Sequence, residues 1–213
     1  MPKEIYVSVD VETDGQVPGV SSMLSFGAVE YHVLRDPQNG VAVGYERHGS
    51  FTRNLELLPR AEPHKATAKF WALHPEKYAA TRVGTVPPEA AMKEFHNWLV
   101  RRPGPVTLVG YPATFDHMWL YWYSLKFLGG AHFGFAGLDI KSYAMAALKI
   151  PRFGYTTKRN FPKEWFGGLA HTHIAVEDAA EQGELFCRMV IWHESGRKDL
   201  PPSLGPFSHK ESR

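Results

Sequence analysis

The sequence predicts an α/β protein: a mixed central β-sheet, made of a three-strand meander plus parallel strands, flanked by helices. Three observations carry that prediction. Apolar, β-branched runs separated by turn residues crowd the first third of the chain. After them, helical stretches alternate with short apolar strands, the order that lays helices against a sheet. At 213 residues, 44% hydrophobic and 22% charged, the chain can enclose one sizeable core.

The elements follow in order. "IYVSVDVE" reads as a central strand, and "MLSFGAVEYHVL" as a second one after a Gly/Pro-containing turn. "VAVGYERHGSFTR" is the third, with Asp36, Pro37, Asn39 and Gly40 forming the hairpin between them. "HKATAKFWALHPEKYAATR" is helical with a break at Pro75. "PPEAAMKEFHNWLVRR" begins with proline in its first turn and ends before Pro103 and Gly104. "PVTLVGY" is a short buried strand, and "ATFDHMWLYWYSLKFLGG" an apolar helix closed by Gly129 and Gly130. "GLDIKSYAMAAL" holds a short strand or turn and a short helix. A longer loop runs over 149–173, and "IAVEDAAEQGELFCRMVIWHES" is the last helix. Residues 1–195 are expected to form one domain. The Pro-, Ser- and Lys/Arg-rich stretch 196–213 is expected to be a flexible tail.

Composition removes several classes. The single cysteine, Cys187, rules out an internal disulfide framework and a cysteine-rich zinc site, and its apolar helical setting makes it a core residue. A net charge of +2 allows a nucleic-acid partner only through local clustering of basic residues. No signal peptide is visible, because the apolar N-terminal run is short and Asp10 interrupts it. No apolar stretch is long enough to cross a membrane, so the chain is expected to be cytoplasmic with no membrane partner.

Four acids and a histidine have surroundings that ask for a reason. Asp10 and Glu12 close the first strand at i and i+2, so both point to one face, side by side. Anions that close repel unless a cation or a shared proton lies between them; a strand fraying into the polar turn "TDG" is the plainer reading. Asp116 lies among Phe115, Met118, Trp119 and Leu120 at the head of an apolar helix, where it also complements the helix dipole. His173 and Asp178 open the final helix.

Taken in order, these motifs resemble the DEDDh-type 3′–5′ exonucleases, the superfamily of proofreading subunits, oligoribonuclease and ribonuclease T. The matching segments are "SVDVETDG" with Asp10 and Glu12, "YPATFDHMWL" with Asp116, and "HTHIAVEDA" with His173 and Asp178. "GLDIKSYAMAAL" resembles the connecting segment, and the likeness spans roughly residues 5–192. It implies a ribonuclease H-like fold and hydrolysis of phosphodiesters from the 3′ end of single-stranded RNA or DNA, releasing nucleoside 5′-monophosphates. By family analogy a homodimer is expected.

The chemistry suits these residue types. Two Mg²⁺ or Mn²⁺ ions about 3.5–4 Å apart can generate the nucleophile, neutralise the phosphate and assist the leaving oxygen, and such hard ions take oxygen ligands. Asp10 is the natural bridge, Glu12 and Asp178 complete one site, and Asp116 serves the second. His173 is the general base, since an imidazole accepts a proton near neutral pH; the resemblance implies the same roles. Other readings are a zinc site from His171, His173 and Asp178, a binding module on the same fold with weak or no catalysis, and a small-nucleotide phosphohydrolase.

For substrate grip, a single-stranded end calls for stacking surfaces beside positive charge. Leu24, Phe70, Trp71 and Phe115 are the apolar candidates near the motifs, by analogy with superfamily residues that wedge against terminal bases. Core packing is the alternative for each. Lys158 and Arg159, with Lys163, form either a solvated loop or a phosphate-gripping lid that closes with His173. Ser22 and Ser25 bond a sugar hydroxyl or pair with backbone.

Overall fold

A computed structural model of the protein describes residues 4–196. The expected meander is present as β1 (Ile5–Thr13), β2 (Met23–Arg35) and β3 (Ala42–Asn54), followed by α1 (Lys65–Leu73), α2 (Pro75–Ala80) and α3 (Pro88–Val100). The break at Pro75 falls between α1 and α2. Then come β4 (Val106–Gly110), α4 (Ala113–Leu128), β5 (Gly137–Asp139), α5 (Ile140–Ala147) and α6 (Ala175–Ser195). The 149–173 segment is a loop pinned by three short 3₁₀ turns. α6 ends at Gly196, whose φ of 65° is the left-handed cap a glycine allows. The remainder of the expected tail lies outside the described residues.

The sheet order is β3-β2-β1-β4-β5. β1 and β3 run antiparallel to β2, while β4 is parallel to β1 and β5 to β4. Both faces of β1 are covered, which is why its first five residues are all buried. Ile5, Val7, Val9 and Val11 pack with Phe95 and Trp98 of α3 and with Trp119, Leu120 and Tyr123 of α4. Tyr6 packs on the other face with Phe186 and Met189 of α6. Each such buried side chain contributes about 1.5–3 kcal/mol relative to exposure. Cys187 is wholly buried in that layer, as expected.

Two glycines set how closely α6 approaches the sheet. A Cβ on Gly183 would lie 2.3 Å from the Tyr31 ring and 2.7 Å from Ser8 Cβ. A Cβ on Gly27 would lie 2.3 Å from the backbone N and Cα of Val176, at the start of α6. The Tyr31 hydroxyl donates to the Ala180 carbonyl at 2.8 Å, and Gln182 Nε2 donates to the Val9 carbonyl. Gly27 pairs with Asp10 across the ladder. The helix therefore touches down beside the carboxylate end of β1.

Candidate active site

Alternation along β1 puts Asp10 and Glu12 on the face of Tyr6, the face that α6 covers. β1 outruns its parallel neighbour: the β1–β4 ladder ends at Ser8 and Val109. Past that point the Val11 N–H donates to Asp116 Oδ1 at 3.2 Å. Asp116 reaches this gap because Gly110 leaves room: a Cβ there would stand 3.0 Å from Asp116 Oδ2. The site thus forms at the carboxyl end of the parallel strands, where side chains from several elements can converge.

Asp178 comes from the first turns of α6. Its carboxylate accepts the N–H of Thr172 at 2.6 Å and that of His173 at 2.8 Å, and His171 Nδ1 lies 3.2 Å away. Ligand atoms of Asp10, Glu12 and Asp178 lie within 4.8 Å of one another. Those of His171, His173 and Asp178 do so as well, sharing Asp178. The structure therefore gathers all five motif residues at the junction of β1, α4 and α6.

Electrostatics marks the site as short of positive charge. Burial, followed by repulsion from Asp116, Glu12 and Asp178, lifts Asp10 well above the ordinary carboxylate range, against a smaller pull from Lys158. Glu12 is pushed up to about 8 by burial and then by Asp178 and Asp116. Asp116 rises to about 7, mainly through burial. Clustered oxygen donors that resist ionisation together are the donor set a hard divalent cation fits. The four carboxylates come from three elements, Asp10 and Glu12 from β1, Asp116 from α4 and Asp178 from α6, with no thiolate among them.

His173 stands in a left-handed backbone conformation, φ 59°. Its ring packs against Phe70, His74 and His171 at centroid distances of 5.2, 5.7 and 4.6 Å. Desolvation first, then His171, Lys77 and His74, hold it below the usual histidine value despite Asp178. A neutral ring is the form that accepts a proton.

A cavity of about 370 Å³ opens beside the acids, lined by Asp10, Tyr111, Lys158, His171, Asp178 and Gln182, with Glu181. Lys158 Nζ is ion-paired to Glu181 and lies 5.2 Å from the Tyr111 ring. Sequence reasoning missed Tyr111, Glu181 and Gln182. A signal existed for two of them: positions three and four after Asp178 share its helix face. Of the grip candidates, Phe70 borders His173 and Lys158 lines the cavity, with Arg159 exposed next to it. Phe115 is partly buried one residue before Asp116, against Trp119. Leu24 is wholly buried, and Trp71 turns inward to donate from Nε1 to the Thr13 carbonyl at 2.9 Å. Both side chains are buried, as in the core alternative. Ser22 Oγ accepts the Leu58 N–H at 3.0 Å, so it pairs with backbone.

A pH prediction follows from the raised carboxylates. Unfolded, they titrate near pH 4; folded and metal-free, Asp10, Glu12 and Asp116 hold protons far longer. The folded state binds more protons in that window, so its stability falls as pH rises toward about 8. His117 and His173, both held low, act with the opposite sign below about pH 6.5. In EDTA, Tm is therefore expected to fall between about pH 6.5 and 8.5, and Mn²⁺ should flatten the slope. A metal-free Tm that rises across that range contradicts the carboxylate cluster.

The chain and its fold are similar to known proteins. The 3′–5′ DNA exonuclease Cap18 of Escherichia coli is 34% identical over 189 residues, 86% of this chain and 90% of that protein. Among solved structures, the zinc-bound E. coli exonuclease I complex with single-stranded DNA has a TM-score of 0.60 at 15% identity, over 92% of this chain. The chain spans 42% of that exonuclease I polypeptide. The nuclease domain of 3′hExo, a DEDDh family member bound to rAMP, gives 0.58 at 12% identity, over 88% of this chain and 92% of that one. At such identities the structural likeness shows the fold, a ribonuclease H-like mixed sheet flanked by helices. No family model matches the chain. Among the described residues no helix is long and apolar enough to cross a membrane.

Proposed function

The chain belongs to the DEDDh-type 3′–5′ exonucleases, metal-dependent enzymes, and on that premise we propose that it trims single-stranded nucleic acid from the 3′ end with His173 as general base. In this reading Asp10, Glu12, Asp116 and Asp178 hold two divalent cations. The observation that carries it is the convergence of Asp10, Glu12 and Asp178 within 4.8 Å, with Asp116 anchored to the backbone of Val11 between the first two. When bound, Mg²⁺ or Mn²⁺ supplies charge neutralisation at the phosphate and activation of water.

The chain's own groups do the rest. His173 takes the proton of the attacking water as its oxygen bonds to phosphorus. The P–O3′ bond then breaks, and the departing 3′-oxygen takes a proton from solvent. A nucleoside 5′-monophosphate leaves. The Asp178 carboxylate fixes the backbone of His173, so base and cation ligand keep one register. In this reading Phe70, packed on the His173 ring, meets the terminal base, and Lys158, which lines the cavity, and its exposed neighbour Arg159 meet phosphate.

The test is a gel assay with 5′-labelled single-stranded DNA and RNA of one sequence, in Mg²⁺, Mn²⁺ or EDTA. A metal-dependent ladder shortening from the 3′ end is expected, faster on DNA, the polymer named for the 34%-identical relative. His173→Ala should lower kcat by about 10²–10⁴, with Mn²⁺ affinity retained by calorimetry. Wild-type turnover in that variant would remove His173 from the mechanism.

A further inference from the structure

Beside the catalytic cavity, the loop leading into the third motif has a composition that its role as a connector does not require. Residues 148–163 carry Lys149, Arg152, Lys158, Arg159 and Lys163 and no acidic residue. Two of its rings face solvent: Phe153 is 49% exposed and Tyr155 56%. Each has a cation over it, with Lys141 Nζ 4.3 Å from the Phe153 centroid and Arg152 Cζ 6.0 Å from that of Tyr155.

The backbone that carries the rings is held in place. The Tyr155 N–H donates to the Arg152 carbonyl at 2.9 Å and the Thr156 N–H to that of Phe153 at 3.0 Å. Asn160 Nδ2 donates to the Tyr155 carbonyl at 2.7 Å. An open, mostly apolar groove of about 640 Å³, lined by Leu148, Ile150, Pro151, Tyr155, Phe161 and Pro162, with Asn160, runs alongside.

Groove and site share a wall. Tyr111, which lines the catalytic cavity with Asp10 and Lys158, donates to the Thr156 carbonyl at 3.4 Å and meets the Phe161 ring edge-on at 6.1 Å. Lys141 follows β5 directly, and β5 runs parallel to β4, so this surface lies at the same end of the sheet as the acids.

We propose that Phe153 and Tyr155 form a second subsite, a stacking platform for bases of the single strand upstream of the scissile bond, with Lys141 and Arg152 meeting its phosphates. The subsite rests on the exonuclease reading and adds a length preference to it. Solvent-facing rings interleaved with cations are what a flexible single strand needs: a π-face under each base and charge along the backbone. The terminal nucleotides stay at the acids; the platform takes those that follow.

The experiment is fluorescence anisotropy on the full chain in EDTA, where strands stay intact, with a twelve-nucleotide strand and a dinucleotide competitor. Phe153→Ala/Tyr155→Ala should weaken the twelve-nucleotide strand at least about tenfold and leave the dinucleotide unchanged. Lys141→Ala/Arg152→Ala should lower the slope of log Kd against log salt by about 1–2. Neither pair is buried, so thermal melts should match wild type. Equal weakening of both lengths, no weakening of either, or a wild type that binds the two lengths alike overturns the subsite. Wild-type protein that binds by length but yields no ladder in Mg²⁺ or Mn²⁺ overturns the exonuclease reading and leaves the platform standing.

Discussion

Replacing Asp10 by asparagine will slow 3′-end cleavage by about 10³-fold or more while raising the Tm of the metal-free protein. The first half follows from the proposed role of Asp10 as a cation ligand: a divalent cation would supply several kcal/mol of transition-state stabilisation, each 1.36 kcal/mol being tenfold in rate. The second half comes from what the acids do to one another when no cation is present. Asp10 is disfavoured as an anion by burial and by Asp116, Glu12 and Asp178 together. A neutral amide of the same shape removes that repulsion. Relief of about 1 kcal/mol shifts Tm by about 2–4 °C in a chain of this size. Asp178→Asn provides the contrast. Its oxygens accept the N–H groups of Thr172 and His173, and an amide nitrogen cannot replace an acceptor. That variant should lose activity and also lose about 1 kcal/mol of stability, because one part-buried N–H is left without its acceptor. Melts in EDTA and gel assays on the two variants check both halves. An Asp10→Asn protein that is less stable than wild type without metal would refute the repulsion argument.

Replacing Gly27 by alanine should disable the site without touching a motif residue. The added Cβ would stand 2.3 Å from the Val176 backbone, and backbone cannot swing aside as a side-chain tip can. Overpacking of this kind costs about 1–3 kcal/mol. The more informative effect is local: the start of α6 must lift, carrying Asp178 away from Asp10. A displacement of about 1 Å in a reacting constellation can cost about 10²-fold in rate. Gly130→Ala is the control, because nothing lies within 4 Å of its would-be Cβ. The expected result is a lowered Tm, weakened Mn²⁺ binding and slow cleavage for Gly27→Ala, and wild-type values for Gly130→Ala. Full Mn²⁺ affinity in Gly27→Ala would show that the helix start does not set the position of Asp178.

The contrast between motif and glycine shows what the sequence could reveal. Asp10, Glu12, Asp116, His173 and Asp178 were legible because carboxylates in apolar company are costly, and their order along the chain is distinctive. The strands of the meander and the helix break at Pro75 were legible from local chemistry alone. Gly27 and Gly183 were not: a glycine inside a strand or helix signals close approach only once the partner is known. Leu24 and Trp71 mark the other limit. Hydrophobicity near a motif does not separate an exposed side chain that could meet a base from a buried one. The pairing of Lys158 with Glu181 was hidden for a similar reason, since it joins a loop to a helix across a gap in sequence.

The acids of the site come from β1, α4 and α6, so two of its members, Asp10 and Asp178, stand near opposite ends of the described chain. Such a cluster cannot form early during synthesis, because its last member belongs to the last helix. A chain emerging from the ribosome would carry β1, with Asp10 and Glu12, well before Asp178 is made. Until α6 settles onto the sheet, with Val176 against Gly27 and Gly183 against Tyr31, Asp178 stays away from Asp10 and the acidic cluster is incomplete.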